Sequence, residues 1–224
     1  MISEKSYKNP FLSIVPREGE EMIGFNKSKI DEFVTGILNG RKLLLVGGEH
    51  GSGKSMITDY IKNKLPSNIR VHKLMFMVDL VNELRNIPFH GTPAEKTVVF
   101  IDKFELCDVI DDKKLEKILE LIVERLESGV SFVISLTPKT TYRLFSLSEK
   151  FKNLASIYTL PPLLYPQVVQ LVISRLNEVR TKHVDSIKPF TEPELKNVYD
   201  KSRGNPRMIL LILASLYDIK KHAE

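Results

Sequence analysis

Residues 48–55 read Gly48-Glu49-His50-Gly51-Ser52-Gly53-Lys54-Ser55. This stretch matches G-x-x-x-x-G-K-[ST], and its surroundings suit the pattern. Upstream, Lys42 to Val46 is a short apolar run of strand character. Downstream, Ser55 to Leu65 places Ile57, Tyr60, Ile61 and Leu65 at helical spacing before Pro66 stops it. Glycines between a strand and a helix let the backbone curl until successive N–H groups point at phosphate oxygens, aided by the helix N-terminus behind them. Lys54 brings a mobile cation to the outer phosphates, and Ser55 offers a hydroxyl ligand to Mg²⁺, which takes hard oxygens. Gly48, Glu49, His50, Gly51, Ser52, Gly53, Lys54, Ser55 and Met56 form the candidate phosphate-binding loop.

Outward from this loop the chain alternates helices with short apolar runs, the pattern of an α/β domain with a parallel sheet. The spacing predicts a helix over Ser28–Leu38, a strand over Val71–Val78 followed by a short helix through Leu84, and a loop over Asn86–Lys96. Thr97–Ile101 and Val130–Leu136 are buried strands, Lys114–Leu126 is an amphipathic helix, and Ser156–Leu160 is the fifth strand. Beyond Pro161-Pro162 only helices are expected, over Pro166–Val179, Glu192–Lys201 and Pro206–Lys220. The chain divides there into a five-stranded α/β core, residues 1–161, and an all-helical unit, residues 162–224.

The second chemical signal is Val98-Val99-Phe100-Ile101-Asp102. A buried parallel strand ending in an acid puts a carboxylate at the edge where open α/β sheets hold ligands, so Asp102 joins Ser55 as a candidate Mg²⁺ ligand. A glutamate often follows this aspartate in hydrolytic enzymes of this type, to orient the attacking water. Position 103 holds Lys103, which when charged has no acceptor. Glu105 lies three residues after Asp102 and faces the same way if a helical turn begins there. At the end of the Val130–Leu136 strand a hydroxyl stands beside the Asp102 strand: Thr137, or Ser135 in the other register, with capping of the next turn as the competing role of Thr137. Near the C-terminus, Asn205 suits a helix cap and Pro206 the first helical position. Arg207 then falls in the first turn, where the helix dipole disfavours a cation that has no anionic partner.

Composition narrows the classes. Hydrophobic residues make up 42% of the 224 and charged residues 27%, ordinary for a globular chain. Cys107 is the single cysteine, which excludes a disulfide framework and a multi-thiolate zinc site. There is no signal-peptide core and no apolar run of membrane length, so a soluble cytoplasmic protein without a membrane partner is expected. The net charge is +5; residues 162–224 carry 10 Lys and Arg against 7 acids, so the excess lies mostly in the helical unit.

Together these residues resemble the AAA+ ATPases. The phosphate loop Gly48–Ser55, the acidic strand Val98–Asp102, Thr137 as a first sensor and Gly204-Asn205-Pro206-Arg207 as a second occur in family order, and the helical unit looks like the AAA+ lid. The resemblance runs from about Ile23 to Tyr217 and is closest to the initiator-like clade of origin-recognition, replication-initiation and transposition ATPases. It implies the cofactors ATP and Mg²⁺. Lys54, Asp102, Glu105, Thr137 and Arg207 become the catalytic candidates, and Ile23 and Gly24 take places beside the adenine. It also implies self-assembly and a DNA or DNA-bound protein partner.

The departures are Lys103, the lack of an arginine before the fifth strand, which leaves Arg143 as the candidate trans-acting finger, and the lack of a duplex-reading module after the lid within these residues. The expectation is a nucleotide-dependent switch with slow or stimulated ATP hydrolysis. A STAND-type signalling ATPase, a non-hydrolysing ATP-bound scaffold and, behind these, a P-loop small-molecule kinase are the alternatives.

Overall fold

A computed structural model describes residues 9–13, 23–40, 42–76, 79–87 and 96–222. The described residues separate into a core unit, residues 26–160, and a helical unit in which the N-terminal segment packs with the chain from Pro161 onward.

The core unit is a five-stranded, all-parallel sheet with helices on its faces. In chain order its elements are α1 (Lys27–Asn39), β1 (Leu43–Gly47), α2 (Lys54–Lys64), β2 (Arg70–Met75), α3 (Leu80–Asn86), β3 (Thr97–Asp102), a 3₁₀ turn (Phe104–Val109), α4 (Asp112–Glu127), β4 (Ser131–Leu136), α5 (Pro138–Leu147), α6 (Glu149–Leu154) and β5 (Ala155–Thr159). The strand order is β2-β3-β4-β1-β5. All residues of β1 and β4 are buried, as continuous apolar runs require of a sheet covered on both faces. Alternate side chains Leu43, Leu45, Val99, Ile101, Phe132 and Ile134 join Leu115, Ile118, Leu119 and Ile122 of α4 in one core cluster. The edge strands β2 and β5 are only partly buried.

Parallel pairing brings the candidate residues to one edge. Val46 pairs with Ser135, Gly47 with Leu136, and Ile101 with Ile134. Loop 48–53, Asp102 and the end of β4 therefore emerge side by side at the carboxyl ends of the strands, where β1 lies between β4 and β5 and the winding reverses.

Helices α5 and α6 are absent from the sequence expectation. They bury little apolar surface, Thr140 and Leu144 in the first and Phe151 in the second, so the stripe that betrays α4 is missing. Their caps, Thr137 and Ser148, define them instead.

The helical unit contains α7 (Tyr165–Asn177), α8 (Glu192–Ser202) and α9 (Pro206–His222). Its cluster includes Val168, Leu171, Val172, Leu195, Val198, Ile209 and Leu213 from the helices and Phe11 from the N-terminal segment. The Phe11 ring meets Phe190 and Tyr217 edge-on, with centroids 5.6 and 5.8 Å away. Asn9 Nδ2 donates to Ala214 O at 2.9 Å and to Asp218 Oδ1 at 2.8 Å. Arg175, 1% exposed, donates to Ser13 O at 2.6 Å. A buried aromatic and two side-chain anchors hold residues 9–13 to the helices, in place of the core to which a division at residue 161 assigns them. Five residues are too short a stretch to show a period.

Among the described residues no helix is long and apolar enough to cross a membrane.

Candidate nucleotide-binding site

Beyond β1 the chain turns through Gly51 at φ 80° and Gly53 at φ 102°, backbone conformations that other side chains resist. α2 then starts at Lys54, its N-cap Gly53 supplies no side-chain acceptor, and no acid lies in the first turn. Such a helix start leaves N–H donors for an anion. Ser52 Oγ is buried in this loop and has no hydrogen-bond partner among the described residues.

Lys54 is 8% exposed and folds back on its own loop, donating to Gly48 O at 2.9 Å and Glu49 O at 3.2 Å. Its Nζ also lies 3.8 Å from Glu105 Oε1, which is 3.6 Å from His50 Nδ1. The Glu105 side chain is 12% exposed, and its Oε2 is buried without a hydrogen-bond partner among the described residues. A pair of opposite charges about 4 Å apart attracts by about 4 kcal/mol at an effective dielectric constant of about 20, before desolvation offsets much of it. Glu105 stands on the 3₁₀ turn Phe104–Val109.

Asp102 is held from three sides. Its Oδ1 accepts from the Lys103 N–H at 2.9 Å and from the Ser135 hydroxyl, and its Oδ2 lies 3.4 Å from Ser55 Oγ. Ser55 and Asp102 thus present two hard oxygens at a spacing from which both could ligate one small cation. Mg²⁺ typically takes one or two carboxylates and completes its shell with water and phosphate. No group of three or more His, Cys, Asp or Glu side chains able to hold a metal occurs among the described residues. Burial, ahead of the neighbouring Asp108 charge, pushes the Cys107 thiol up to about 12, so it supplies no thiolate near neutral pH. The glycine-lined loop, the Ser52 hydroxyl, unpartnered among the described residues, and the Ser55–Asp102 pair fit a nucleotide phosphate chain with its Mg²⁺.

Of the two hydroxyls at the end of β4, Ser135 reaches Asp102. Thr137 is the N-cap of α5, its Oγ1 accepting from Thr140 N at 3.3 Å and lying 2.9 Å from Thr140 Oγ1. Both residues would share a face if the strand continued, but β4 ends at Leu136 and the chain turns ahead of Pro138. Lys103 adopts a left-handed backbone at φ 55° and is exposed. Arg143 donates to Cys107 O, Ile110 O and Asp112 Oδ1 of its own chain.

Arg207 and the pair Ile23–Gly24 lie in the helical unit. Asn205 Oδ1 accepts from Met208 N at 3.2 Å, so the cap and the Pro206 start of α9 are as read from sequence, and Arg207 is exposed in the first turn. Gly24, at φ 83°, and Gly204, at φ 73°, both pack on Leu163; a Cβ at either would collide with it. Leu163 N donates to Gly204 O at 2.9 Å. The only signal in sequence for this meeting was the presence of two glycines.

No family model matches the chain, and no curated relative matches it. Solved structures do. The chain is similar to the Aeropyrum pernix ORC1 protein in complex with DNA, with TM-score 0.64 and 13% identity over 97% of this chain and 65% of that one. It is similar to the S. cerevisiae Hsp104–ADP complex, with TM-score 0.59 and 15% identity over 84% of this chain and 30% of that one. It is also similar to the Thermotoga maritima RuvB Holliday junction branch migration motor, with TM-score 0.56 and 16% identity over 94% and 67%. These are AAA+ P-loop ATPases, and the chain has their fold, with origin-recognition proteins of the initiator-like clade among the matches. It spans about two thirds of the ORC1 chain and under a third of the Hsp104 chain.

Proposed function

We propose that the chain is an AAA+ module that binds ATP with Mg²⁺ on loop 48–56 and uses it as a switch, hydrolysing slowly or on stimulation. The observation that carries this reading is the Ser55–Asp102–Ser135 chain of contacts beside a glycine-lined loop whose lysine is buried. Lys54 is assigned to the outer phosphates and Ser55 with Asp102 to Mg²⁺. Glu105 is assigned the acid role that Lys103 does not fill, because it enters the site through the 3₁₀ turn. Ser135 positions Asp102. For Thr137 as a sensor, and for Ile23, Gly24 and Arg207, the support is the family resemblance. Binding of Mg-ATP to the purified chain, and its loss in Lys54→Ala, tests the reading; a chain that binds no nucleotide, or is indifferent to that change, sinks it.

A second reading, an ATP-bound scaffold without useful hydrolysis, is favoured by the exposed Lys103 and by the engagement of Lys54 with Glu105. Single-turnover decay of bound ATP separates the two. A DNA partner is proposed because the ORC1 protein matched is in complex with DNA and RuvB is a branch migration motor. Its test is duplex binding that weakens steeply as salt rises. Self-assembly is proposed on the family resemblance, and the mass of the ATP-bound species in solution tests it.

A further inference from the structure

In a 3₁₀ helix, with three residues per turn, positions i and i+3 lie one above the other. The turn Phe104–Val109 therefore has three faces. Phe104 and Cys107 are fully buried, and Phe104 meets Phe76 edge-on at 5.0 Å. Leu106 and Val109 are exposed. Glu105 and Asp108 make the third face, which carries the acid that meets Lys54.

Both ends of this turn are tied. At the start, the Lys103 N–H donates to Asp102 Oδ1 and, at 3.0 Å, to Ser135 Oγ. At the end, the Arg143 guanidinium from α5 donates to Cys107 O at 3.0 Å, Ile110 O at 2.8 Å and Asp112 Oδ1 at 2.6 Å, with Asp108 Oδ1 3.8 Å away. A rigid planar fork aimed at one turn fixes it better than a flexible ammonium could. Glu105 is held where its Oε2 lacks a partner among the described residues, a place that a loose turn would leave for water.

We propose that Arg143 is the positioning residue that holds the Glu105 carboxylate against Lys54, so that the terminal phosphate of a nucleotide must displace this carboxylate to reach the lysine. The inference rests on the phosphate-binding reading of loop 48–56. Carboxylate and terminal phosphate are both anions competing for one ammonium, so the clamp weighs against a triphosphate more than against a diphosphate. It also removes Arg143 from the role of a trans-acting finger, because its donors are committed within the chain.

The test is equilibrium binding of Mg-ATP and Mg-ADP to the full chain and to Glu105→Gln, Arg143→Met, Arg143→Lys and the double variant Glu105→Gln/Arg143→Met. Glu105→Gln is expected to raise the ratio of ATP to ADP affinity about fivefold or more, within the usual size of a coupling between sites. Arg143→Met is expected to raise the ratio to a similar extent, and Arg143→Lys, which keeps a charged donor, to fall between. In the double variant the two gains do not add, because both act through one carboxylate. A parent-like ratio in Arg143→Met, or gains that add in full, overturns the inference. If Arg143→Met fails to fold, Asp112→Asn, which strips the guanidinium of its carboxylate, replaces it, and a parent-like ratio there also overturns the inference. The nucleotide-binding reading fails in a different way: the parent then binds neither nucleotide, and the inference falls with it.

Discussion

Ser135 donates its hydroxyl hydrogen to Asp102 Oδ1 across the pair of central strands β3 and β4. It is fully buried, and its oxygen also accepts the Lys103 N–H. One hydroxyl thus orients the carboxylate and anchors the start of the turn that carries Glu105. The neighbouring hydroxyl, Thr137, is taken up by a helix cap. The two are expected to respond differently to removal.

Ser135→Ala should lower ATP turnover about tenfold or more, the range for loss of a group that positions catalytic machinery, with nucleotide affinity changed less. Thr137→Ala should cost about 1 kcal/mol of stability, as loss of an N-cap does, and lower turnover less than Ser135→Ala does, because its hydroxyl is engaged by Thr140. Steady-state turnover and urea unfolding of both variants check this pair.

Asp102→Asn and Ser55→Ala should each reduce the Mg²⁺-dependent part of ATP affinity and leave the Mg²⁺-independent part close to that of the parent. Titrating ATP with Mg²⁺ and with excess chelator measures both parts. Loss of both parts together would point to collapse of the loop rather than to a cation ligand.

Glu105→Gln should depress turnover by about 10²-fold, as removal of a general base does. Lys103→Glu should leave turnover within about twofold of the parent, because that position is exposed on a left-handed backbone while Glu105 already faces Lys54. A large gain from Lys103→Glu would show that the acid missing at 103 is the limiting group.

Phe11→Ala should destabilise the chain by about 3–5 kcal/mol, the usual cost of truncating a buried phenylalanine, although it lies outside every predicted helix and strand. Chemical denaturation measures this, and a cost under about 1 kcal/mol would be too small for such a buried ring.

Glu194 titrates below its ordinary range, first because Lys220 hydrogen-bonds it at 2.8 Å and next because the Thr191 N–H does. A carboxylate with a lowered folded value contributes stability that is present above its unfolded value, about 4.3, and lost as the pH falls through the folded one. Glu194→Gln should therefore lower stability at neutral pH and converge with the parent in acid. The difference should be under about 1 kcal/mol, because this pair is partly exposed. Urea midpoints across that pH range test it.

Much of the fold was legible because it rests on local patterns. The apolar runs of β1, β3 and β4 and the stripe Leu115, Ile118, Leu119, Ile122 and Leu126 of α4 stand where spacing placed them, to within a residue or two at their ends. Helices α5 and α6 escaped because they bury too few apolar side chains for a period to show. The Arg143 clamp escaped because its partners, Cys107 to Asp112, lie more than thirty residues away in sequence.

Residue type and short spacing alone are enough to place the glycine-rich loop 48–53, the acidic strand end and the sheet-forming runs. Tertiary structure decided that Ser135 meets Asp102, because strand register alone brings together atoms 33 residues apart. It decided that Glu105 meets Lys54, because the turn after β3 winds as a 3₁₀ helix whose core face is buried. It decided that the segment around Phe11 belongs with the C-terminal helices, because a single aromatic side chain finds its apolar surroundings there without leaving any repeat in the sequence.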